Sequence, residues 1–416
     1  MTEPTRSTRH APVKSLPTAW ARDYDLYDPA YLENPAAVWD GMRGQCPVAH
    51  TERRGGGYLL SRHQDITAVA LDPATFSSRA GEVTGPVPEP GRELSLPPVT
   101  SDPPAHAADR RLLMPLFTKP AVARYEQLTR DTAAELIAGF GERTLIDGAG
   151  EYARDIPVVV TSRMLGLPPQ DQARFHTWTV RMLKDGAEDH KVRAEAVRAI
   201  RDYLTDLVRS GSLAGSDGVI GHLLARQPDD PTLSHERIVG MSFLMLIAGI
   251  DTTWSALGSI LWHLATHQEH RAAIAADPGS VPAAVDEFLR LYAPVTIGRI
   301  VTAPASIGET RVCPGDRIVL PWAAANHDPD VCDRPGEFIA DRPRNRHLAF
   351  GVGIHRCLGA HLAHMELRVS LTEWLRRIPD FALAPGAVVE WTGGNTRGPK
   401  ALPLVIHRAT HTGTGG

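Results

Sequence analysis

The segment around Cys357 has the residue types of a thiolate that binds a metal centre. Residues 350–359 read FGVGIHRCLG and run into an amphipathic stretch whose apolar face carries Leu358, Leu362, Met365 and Val369. A cysteine at the start of a helix meets the partial positive charge and the free N–H groups of the helix end, which stabilise the metal-binding thiolate. The glycines of the segment allow the backbone to approach a large planar ligand, and Phe350 would keep water away from the sulfur. The segment therefore predicts a metal-bound cofactor at Cys357.

Three other interpretations compete for this segment. Gly351 and Gly353 could open a dinucleotide-binding fingerprint, but Arg356 occupies the position of the third glycine. A zinc site could be built from four side chains whose spacing lacks the close ligand pairs usual for zinc, namely His355, Cys357, His361 and His364. A single buried cysteine is most often an inert small hydrophobic residue. The coincidence of Phe, Gly and Cys positions directly before a helix favours the cofactor.

A second group of residues, AGIDTT at 248–253, lies in the middle of a long predicted helix. The pattern begins at a plausible N-cap, Ser234, with Glu236 in the first turn. It continues without proline to about His267, which is roughly 50 Å at 1.5 Å per residue. Because its middle is apolar on nearly all sides, we expect this helix to be buried in the centre of an α-rich fold.

The chemistry of this second group is the handling of protons. The hydroxyl of Thr252 can bond back to the carbonyl of Ala248, which loosens the helical hydrogen bonds while Gly249 leaves room beside them. Asp251 can pass protons inward from solvent, which is the supply that cleavage of an O–O bond requires. On its own the group is more typical of a buried helix with a satisfied threonine. Only a cofactor beside it makes the chemical interpretation the stronger one.

A third pattern, Glu287 with Arg290, is an ion pair at i, i+3 spacing on a helix. On a surface such a pair contributes only about 0.2–0.5 kcal/mol. The same spacing occurs at several other places in the chain. Only its position, after the central helix and before Arg299, distinguishes the pair of Glu287 and Arg290 from the others.

The remaining pattern predicts one α-rich domain with a smaller β portion, over residues 18–408. The run GGGYLLSR predicts a turn and a strand, and residues 299–321 predict further strands. The proline-rich segment between residues 79 and 101 predicts a long loop, and loops of this length are usually either functional, here by contact with a substrate, or disordered. The ends, residues 1–17 and 409–416, are small, polar and without periodicity, and we expect both to be disordered.

Charge and cysteine content exclude several functional classes. The chain has 416 residues with 44 basic and 48 acidic side chains, a formal net charge of -4, which argues against nucleic acid or another polyanion as partner. Its four cysteines lie far apart, which favours a reducing compartment over a disulfide framework. The start has no apolar signal segment, and the longest apolar run, Met241–Ile250, is far shorter than the roughly 20 residues of a membrane span. We therefore expect a soluble, cytoplasmic protein.

The sequence resembles the cytochrome P450 family, first in the signature around Cys357 and then in the AGIDTT segment. The resemblance implies a single large domain in which haem b lies between the long central helix and the cysteine helix, with Cys357 as axial ligand of the iron. It implies that Thr252 and Asp251 are catalytic. The other haem-binding residues that it implies are His106, Arg110, Arg299, His355, Phe350, Gly351, Ala248 and Gly249. It also implies that Arg342 completes a buried structural pair with Glu287 and Arg290.

The resemblance implies a haem-thiolate monooxygenase. Such an enzyme inserts one oxygen atom from O2 into a substrate, here a small and mostly apolar organic molecule, by hydroxylation or epoxidation, in natural-product tailoring. Electrons would come from a separate ferredoxin and an NAD(P)H-dependent reductase, which would dock beside the cysteine on a basic patch of Arg111, Arg344, Arg346 and Arg356. The substrate would meet the loop of residues 81–100 and the side chains of Leu244, Ile247, Ala248, Val295, Thr296, Ile297, Asn395 and Thr396. We expect a monomer.

Two alternatives remain at this stage. A haem-thiolate enzyme could run on peroxide or rearrange its substrate without external electrons, although the intact pair of Asp251 and Thr252 argues against it. The chain could instead be a haem-binding sensor or carrier without catalysis. Such a protein would have no need of the oxygen-handling pair.

Overall fold

Helices make up most of the described chain. The computed structural model describes residues 20, 22–85, 87–89, 94–183, 186 and 189–407, so the predicted disordered ends, 1–17 and 409–416, lie outside the described residues. The α-helices are α1 Pro29–Glu33, α2 Pro35–Gln45, α3 His63–Leu71, α4 Ala105–Leu113, α5 Lys119–Ala123, α6 Glu126–Gly139, α7 Asp155–Leu165, α8 Gln172–Leu183, α9 His190–Ser210, α10 Val219–Leu224, α11 His235–Thr266, α12 Gln268–Ala276, α13 Val281–Leu291, α14 Trp322–Asn326 and α15 Ala360–Arg377. The predicted α-rich class with a smaller β portion is confirmed.

The strands form three sheets at the edges of the helical body. They are β1 Val48–Thr51, β2 Gly57–Leu60, β3 Phe76–Ser77, β4 Leu145–Asp147, β5 Thr296–Val301, β6 Ala305–Ile307, β7 Thr310–Val312, β8 Arg317–Pro321, β9 Asp380–Leu383 and β10 Pro403–His407. The largest sheet has the order β1-β2-β8-β5-β3, and the others are β4-β10-β9 and β6-β7. The pair β2 and β8 is parallel, whereas β5 and β8 are antiparallel with Arg299 opposite Ile318. This pairing joins the two predicted β regions in one sheet.

The helix α11 forms the centre of the molecule. Ser234 caps it as predicted, because its side chain accepts a hydrogen bond from the backbone N–H of Arg237 at 3.2 Å. The helix is long and apolar enough to cross a membrane, yet 72% of its most apolar window is buried inside the protein. Its apolar surface is therefore covered by the packing of α7, α9 and α15 against it. This packing makes it a core helix.

A buried ionic group ties α13 to the segment that leads to Cys357. The carboxylate of Glu287, which is fully buried, accepts hydrogen bonds from Arg290 at 2.8 and 2.9 Å and from Arg342 at 2.9 Å. It also accepts from the backbone N–H of Ile339 at 3.0 Å and from Asn345 Nδ2 at 3.1 Å. A buried carboxylate requires this degree of pairing, because an unpaired charge in the interior is strongly unfavourable. The group therefore fixes residues 339–345 against α13.

Candidate active site

A cavity lies between α11 and the segment that precedes α15. It contains about 1440 Å³ of space free of protein atoms, part of it open to solvent. Thirteen of the residues predicted to be catalytic, haem-binding or substrate-binding line it, namely His106, Arg110, Leu244, Ala248, Gly249, Thr252, Val295, Ile297, Arg299, Phe350, Gly351, His355 and Cys357. These residues come from separate parts of the chain, and the fold brings them around one space.

Cys357 enters this cavity on a tight backbone turn. Its N–H donates to the carbonyl of Phe350 at 2.7 Å, so the chain folds back on itself before the helix. Gly351 and Gly353 have φ values of +67° and +76°, which favour glycine. A Cβ at Gly351 would lie 3.3 Å from the ring of Trp322, so only glycine fits without displacing that ring. The turn therefore presents the sulfur to the cavity and keeps the backbone close to it.

The surroundings of the sulfur shift the pKa of Cys357 in opposite directions. Burial raises the pKa of Cys357, while a hydrogen bond from the N–H of Gly359 and the charges of Arg110 and Arg356 lower it. The side chain is nevertheless accessible, because it faces the open space of the cavity. The helix α15 begins at Ala360, so the expected placement of Leu358 within the helix is wrong. The turn from Cys357 to Gly359 occupies the position of its first residues.

A cluster of cationic and imidazole side chains lies at one edge of the cavity. The rings of His106 and His355 are 4.3 Å apart, and the Nε2 atom of each is buried with no hydrogen-bond partner among the described residues. Arg299 is only 2% exposed, and burial lowers its pKa to about 10. Burial, followed by the charges of Arg299, His106 and Arg110, lowers the pKa of His355 to about 3. A ligand with carboxylate groups suits this cluster, because it would supply the acceptors and the negative charge that these groups lack.

The oxygen-handling residues predicted on α11 lie on two different sides of the helix. The hydroxyl of Thr252 donates to the carbonyl of Ala248 at 2.8 Å and lines the cavity. Asp251 is not among the lining residues. Burial raises the pKa of its carboxyl, while a hydrogen bond from Thr396 and the charge of Arg193 lower it. The acid therefore lies toward α9 and the C-terminal loop, whereas the threonine lines the same cavity as Cys357.

The predicted substrate residues divide into two groups. Leu244, Ala248, Val295 and Ile297 line the cavity, whereas Ile247, Thr296, Asn395 and Thr396 lie outside its wall. The side-chain amide of Asn395 is hydrogen-bonded to the backbone. Its Nδ2 donates to the carbonyls of Gly81 at 3.1 Å and Thr296 at 3.3 Å. Its Oδ1 accepts from the N–H of Val83 at 3.4 Å. Asn395 thus links the start of the proline-rich loop to β5, and its contact with a substrate stays a prediction.

Comparison with known proteins decides the family. A family model described as cytochrome P450 matches residues 175–277 and 280–383. Cytochrome P450 130 of Mycobacterium tuberculosis is 31% identical over 412 residues, which cover 94% of this chain and 100% of that protein. The chain belongs to the cytochrome P450 family. A vitamin D(3) 25-hydroxylase of Pseudonocardia autotrophica is 31% identical over 379 residues, covering 89% of this P450 and 93% of that enzyme. The structure of cytochrome P450 CYP109Q5 from Chondromyces apiculatus matches with a TM-score of 0.84 and 30% identity, over 94% of this P450 and 99% of that chain.

The P450 is accordingly a monooxygenase that binds haem b. The residues around its cavity fit this group. The unpartnered Nε2 atoms of His106 and His355 and the buried cation of Arg299 match two carboxylate-bearing propionates. The glycine turn before Cys357 allows a flat ring system to approach the sulfur. Among the described residues, no group of three or more His, Cys, Asp or Glu side chains is arranged to hold a metal ion.

Glu366 is a cavity residue that the sequence analysis missed. It is 1% exposed, lines the cavity from α15, and its Oε2 has no hydrogen-bond partner among the described residues. Burial raises its pKa to about 8. The available signal was its position four residues after Leu362, which places an acid on the apolar face of the P450's cysteine helix. An acidic residue on such a face points to a buried neutral carboxyl.

We expect Glu366→Gln to change how the stability of the P450 depends on pH. The folded-state pKa is raised, so the carboxyl stabilises the fold fully below its unfolded value of about 4.3 and loses this effect as pH rises toward about 8. Between these values the wild type should lose up to about 1.4 kcal/mol per pH unit relative to the glutamine variant. Urea unfolding of both ferric proteins at several pH values measures the difference. If the free energy of unfolding changed with pH in the same way in the two proteins, the expectation would be wrong. The control is Glu269→Gln, which removes an exposed carboxyl on α12.

Proposed function

We propose that this P450 inserts one oxygen atom from O2 into a small, mostly apolar organic substrate, with Cys357 as the axial ligand of the haem. The observation that carries the proposal is the single cavity that joins Cys357 to Thr252 between α15 and α11. A sensor or carrier has no need of a threonine hydroxyl placed opposite its sulfur ligand. The bound haem supplies the activation of dioxygen, which thiolate ligation favours.

The protein's own residues hold and orient the cofactor. His106, Arg110, Arg299 and His355 bind the propionates, since all four line one edge of the cavity. Arginine forms paired hydrogen bonds with carboxylates, and the buried Arg299 is the strongest anchor because water does not compete for it. Phe350 lines the same cavity as Cys357 and limits the access of water to the sulfur.

Protons reach the reaction through Asp251 and Thr252. Burial raises the pKa of Asp251, which makes its carboxyl a better proton acceptor than an exposed carboxylate and suits a group that takes up a proton and releases it again. Thr252 lies one residue further along α11 and turns toward the cavity, where its hydroxyl can pass the proton on. Proton uptake thus takes place on one side of α11, and proton delivery on the side that lines the cavity.

The cavity wall favours an apolar substrate. Leu244, Val295 and Ile297 contribute aliphatic side chains, and Pro98 and Val99 of the predicted substrate loop add two more apolar surfaces. A relative named as a vitamin D(3) 25-hydroxylase is consistent with a substrate of this class. For an enzyme with such a substrate, we infer a role in the tailoring of natural products in the cytoplasm.

Electrons enter beside Cys357 from a ferredoxin that is reduced by an NAD(P)H-dependent reductase. The residues that support this are Arg111, Arg344, Arg346 and Arg356, all exposed. Within the described part of the chain none of them forms an ion pair. Their positive charge attracts an acidic partner although the whole protein carries -4.

The test starts from a ligand screen that includes vitamin D3 and reads the shift of the ferric Soret band. The compound with the largest shift is then incubated with a bacterial ferredoxin, its reductase, NADPH and isotopically labelled dioxygen. The expected result is a product that carries one labelled oxygen atom and requires every component. Full product formation with hydrogen peroxide alone would instead establish a peroxide-driven enzyme, and ligand shifts without any product would establish a sensor.

A further inference from the structure

The loop end, which is residues 95–101 of the proline-rich loop, packs directly against α11. A Cβ at Gly240 would lie 2.9 Å from the backbone carbonyl oxygen of Ser95 and 3.2 Å from Cδ of Pro97. A side-chain atom so close to a backbone oxygen would force the loop and the helix apart. The absence of a side chain at Gly240, which is buried, therefore sets how close the loop end comes to α11.

Hydrogen bonds within the loop end fold it into a turn. The N–H of Leu96 donates to Oγ1 of Thr100 at 2.8 Å, and the N–H of Thr100 donates to the carbonyl of Leu96 at 3.1 Å. The N–H of Ser101 donates to the carbonyl of Pro98 at 3.2 Å. Because these bonds join its two ends, we expect the loop end to move as a unit when one of its residues is displaced.

A buried ion pair anchors the loop end to two helices. Oγ of Ser101 donates to the carboxylate of Asp109 on α4 at 2.5 Å. The same carboxylate, only 2% exposed, accepts from Nε of Arg237 on α11 at 2.8 Å and from its Nη2 at 2.5 Å. Breaking this pair would leave an uncompensated charge in the interior. Asp109 therefore stays in place and holds Ser101.

The anchored loop end carries two residues of the cavity wall, Pro98 and Val99. Leu244 also lines the cavity, and it lies one turn of α11 beyond Gly240 on the same face of the helix. The helix cannot yield to the loop, because α7, α9 and α15 pack against it. A group added at Gly240 would instead push the loop end outward and carry Val99 away from Leu244.

We propose that Gly240 is a positioning residue for substrate selection, and that it sets the distance between α11 and the apolar wall formed by Pro98 and Val99. The proposal rests on the proposed function, since it takes this cavity as the substrate site. A compact apolar group of the substrate that fits between Val99 and Leu244 is held on both sides, whereas a bulkier group is excluded. The P450 thus selects substrates by the size of this group.

The first test measures the dissociation constants of two azoles from the shift of the ferric Soret band in haem-loaded protein. Gly240→Ala should leave imidazole binding unchanged. It should weaken the binding of 4-phenylimidazole by about threefold or more, because the phenyl ring loses apolar contact with the displaced wall. A ratio of the two constants that does not rise in Gly240→Ala would overturn the proposal. A wild type in which neither azole shifts the band would instead contradict the proposed function.

A matched control separates the position of the wall from a general loss of packing. A Cβ at Gly258, also on α11, would lie 2.8 Å from Cγ of Pro399, which is not among the cavity-lining residues. Gly258→Ala should therefore lower the thermal unfolding midpoint, as Gly240→Ala does, but keep the azole ratio of the wild type. A ratio that rises equally in both variants would overturn the specific role of Gly240.

The second test is a double-mutant cycle with Val99. Val99→Ala should weaken 4-phenylimidazole binding in the wild type, and weaken it less in Gly240→Ala, where Val99 has already moved away. Ser101→Ala frees the loop end from Asp109 without crowding α11, and it should also weaken this azole, so the test does not depend on the folding of Gly240→Ala. Equal losses from Val99→Ala in the two backgrounds, or unchanged binding in Ser101→Ala, would overturn the proposal.

Discussion

Replacing Glu287 by glutamine is expected to lower the free energy of unfolding by about 3–5 kcal/mol. The carboxylate is fully buried and accepts hydrogen bonds from Arg290, Arg342, Asn345 and the backbone of Ile339. Glutamine is neutral and carries an N–H group where donors already converge. Two buried guanidinium groups would then lack a counter-charge, which is the unfavourable state in a broken buried ion pair.

Urea unfolding of the ferric protein measures this loss, and Glu337→Gln is its matched control. Arg334 and Glu337 also form an ion pair at i, i+3 spacing, with the arginine first and a distance of 3.1 Å. Both of these side chains are more than half exposed. Removing that surface charge should cost no more than about 1 kcal/mol. A loss of similar size in the two variants would contradict the structural role of Glu287.

Replacing Thr252 by alanine should reduce the product formed per NADPH by about tenfold or more, because a positioned proton donor contributes at least that much to such a step. Electron flow should continue, since Thr252 lies on α11 and is not among the arginines proposed to dock the ferredoxin. Hydrogen peroxide should increase in proportion. The measurement compares product, peroxide and NADPH for the best ligand of the screen.

The control for this variant lies on the same helix. Thr266 also donates to a carbonyl four residues earlier, that of Trp262, at 2.9 Å, but at the far end of α11. Thr266→Ala should leave the ratio of product to NADPH unchanged. Unchanged coupling in Thr252→Ala would favour a sensor or a redox-neutral enzyme over a monooxygenase.

The sequence predicted α11 closely because every local signal agreed. The Ser234 cap, the absence of proline and the apolar pattern define a helix that the structure places at residues 235–266. The cysteine segment was predictable for the same reason, because the glycines that allow the turn lie within a few residues of the cysteine. The start of α15 was misplaced because the backbone of Gly359, with φ −81° and ψ 10°, departs from the helix, and no pattern of apolar residues records such a backbone conformation.

The features that could not be predicted depend on contacts between distant parts of the chain. Asn395 bonds to Gly81, 314 residues earlier, and a turn residue gives no local sign of such a partner. Ser95 and Gly240 meet because the proline-rich loop crosses α11 at this position, and the crossing follows from the packing of both elements. The family resemblance supplied the pairing of Arg342 with Glu287, which spacing alone does not reveal.

The central claim is that the sulfur of Cys357 binds the haem iron. The direct test is the absorption spectrum of the ferrous protein under carbon monoxide, for the wild type, Cys357→Ser and Cys313→Ser. Cys313 is an exposed free cysteine outside the cavity and serves as the control. We expect the wild type and Cys313→Ser to show the Soret band at the long wavelength typical of thiolate ligation, and Cys357→Ser to lack it. A wild type without this band, or a Cys357→Ser protein that keeps it, would contradict the account.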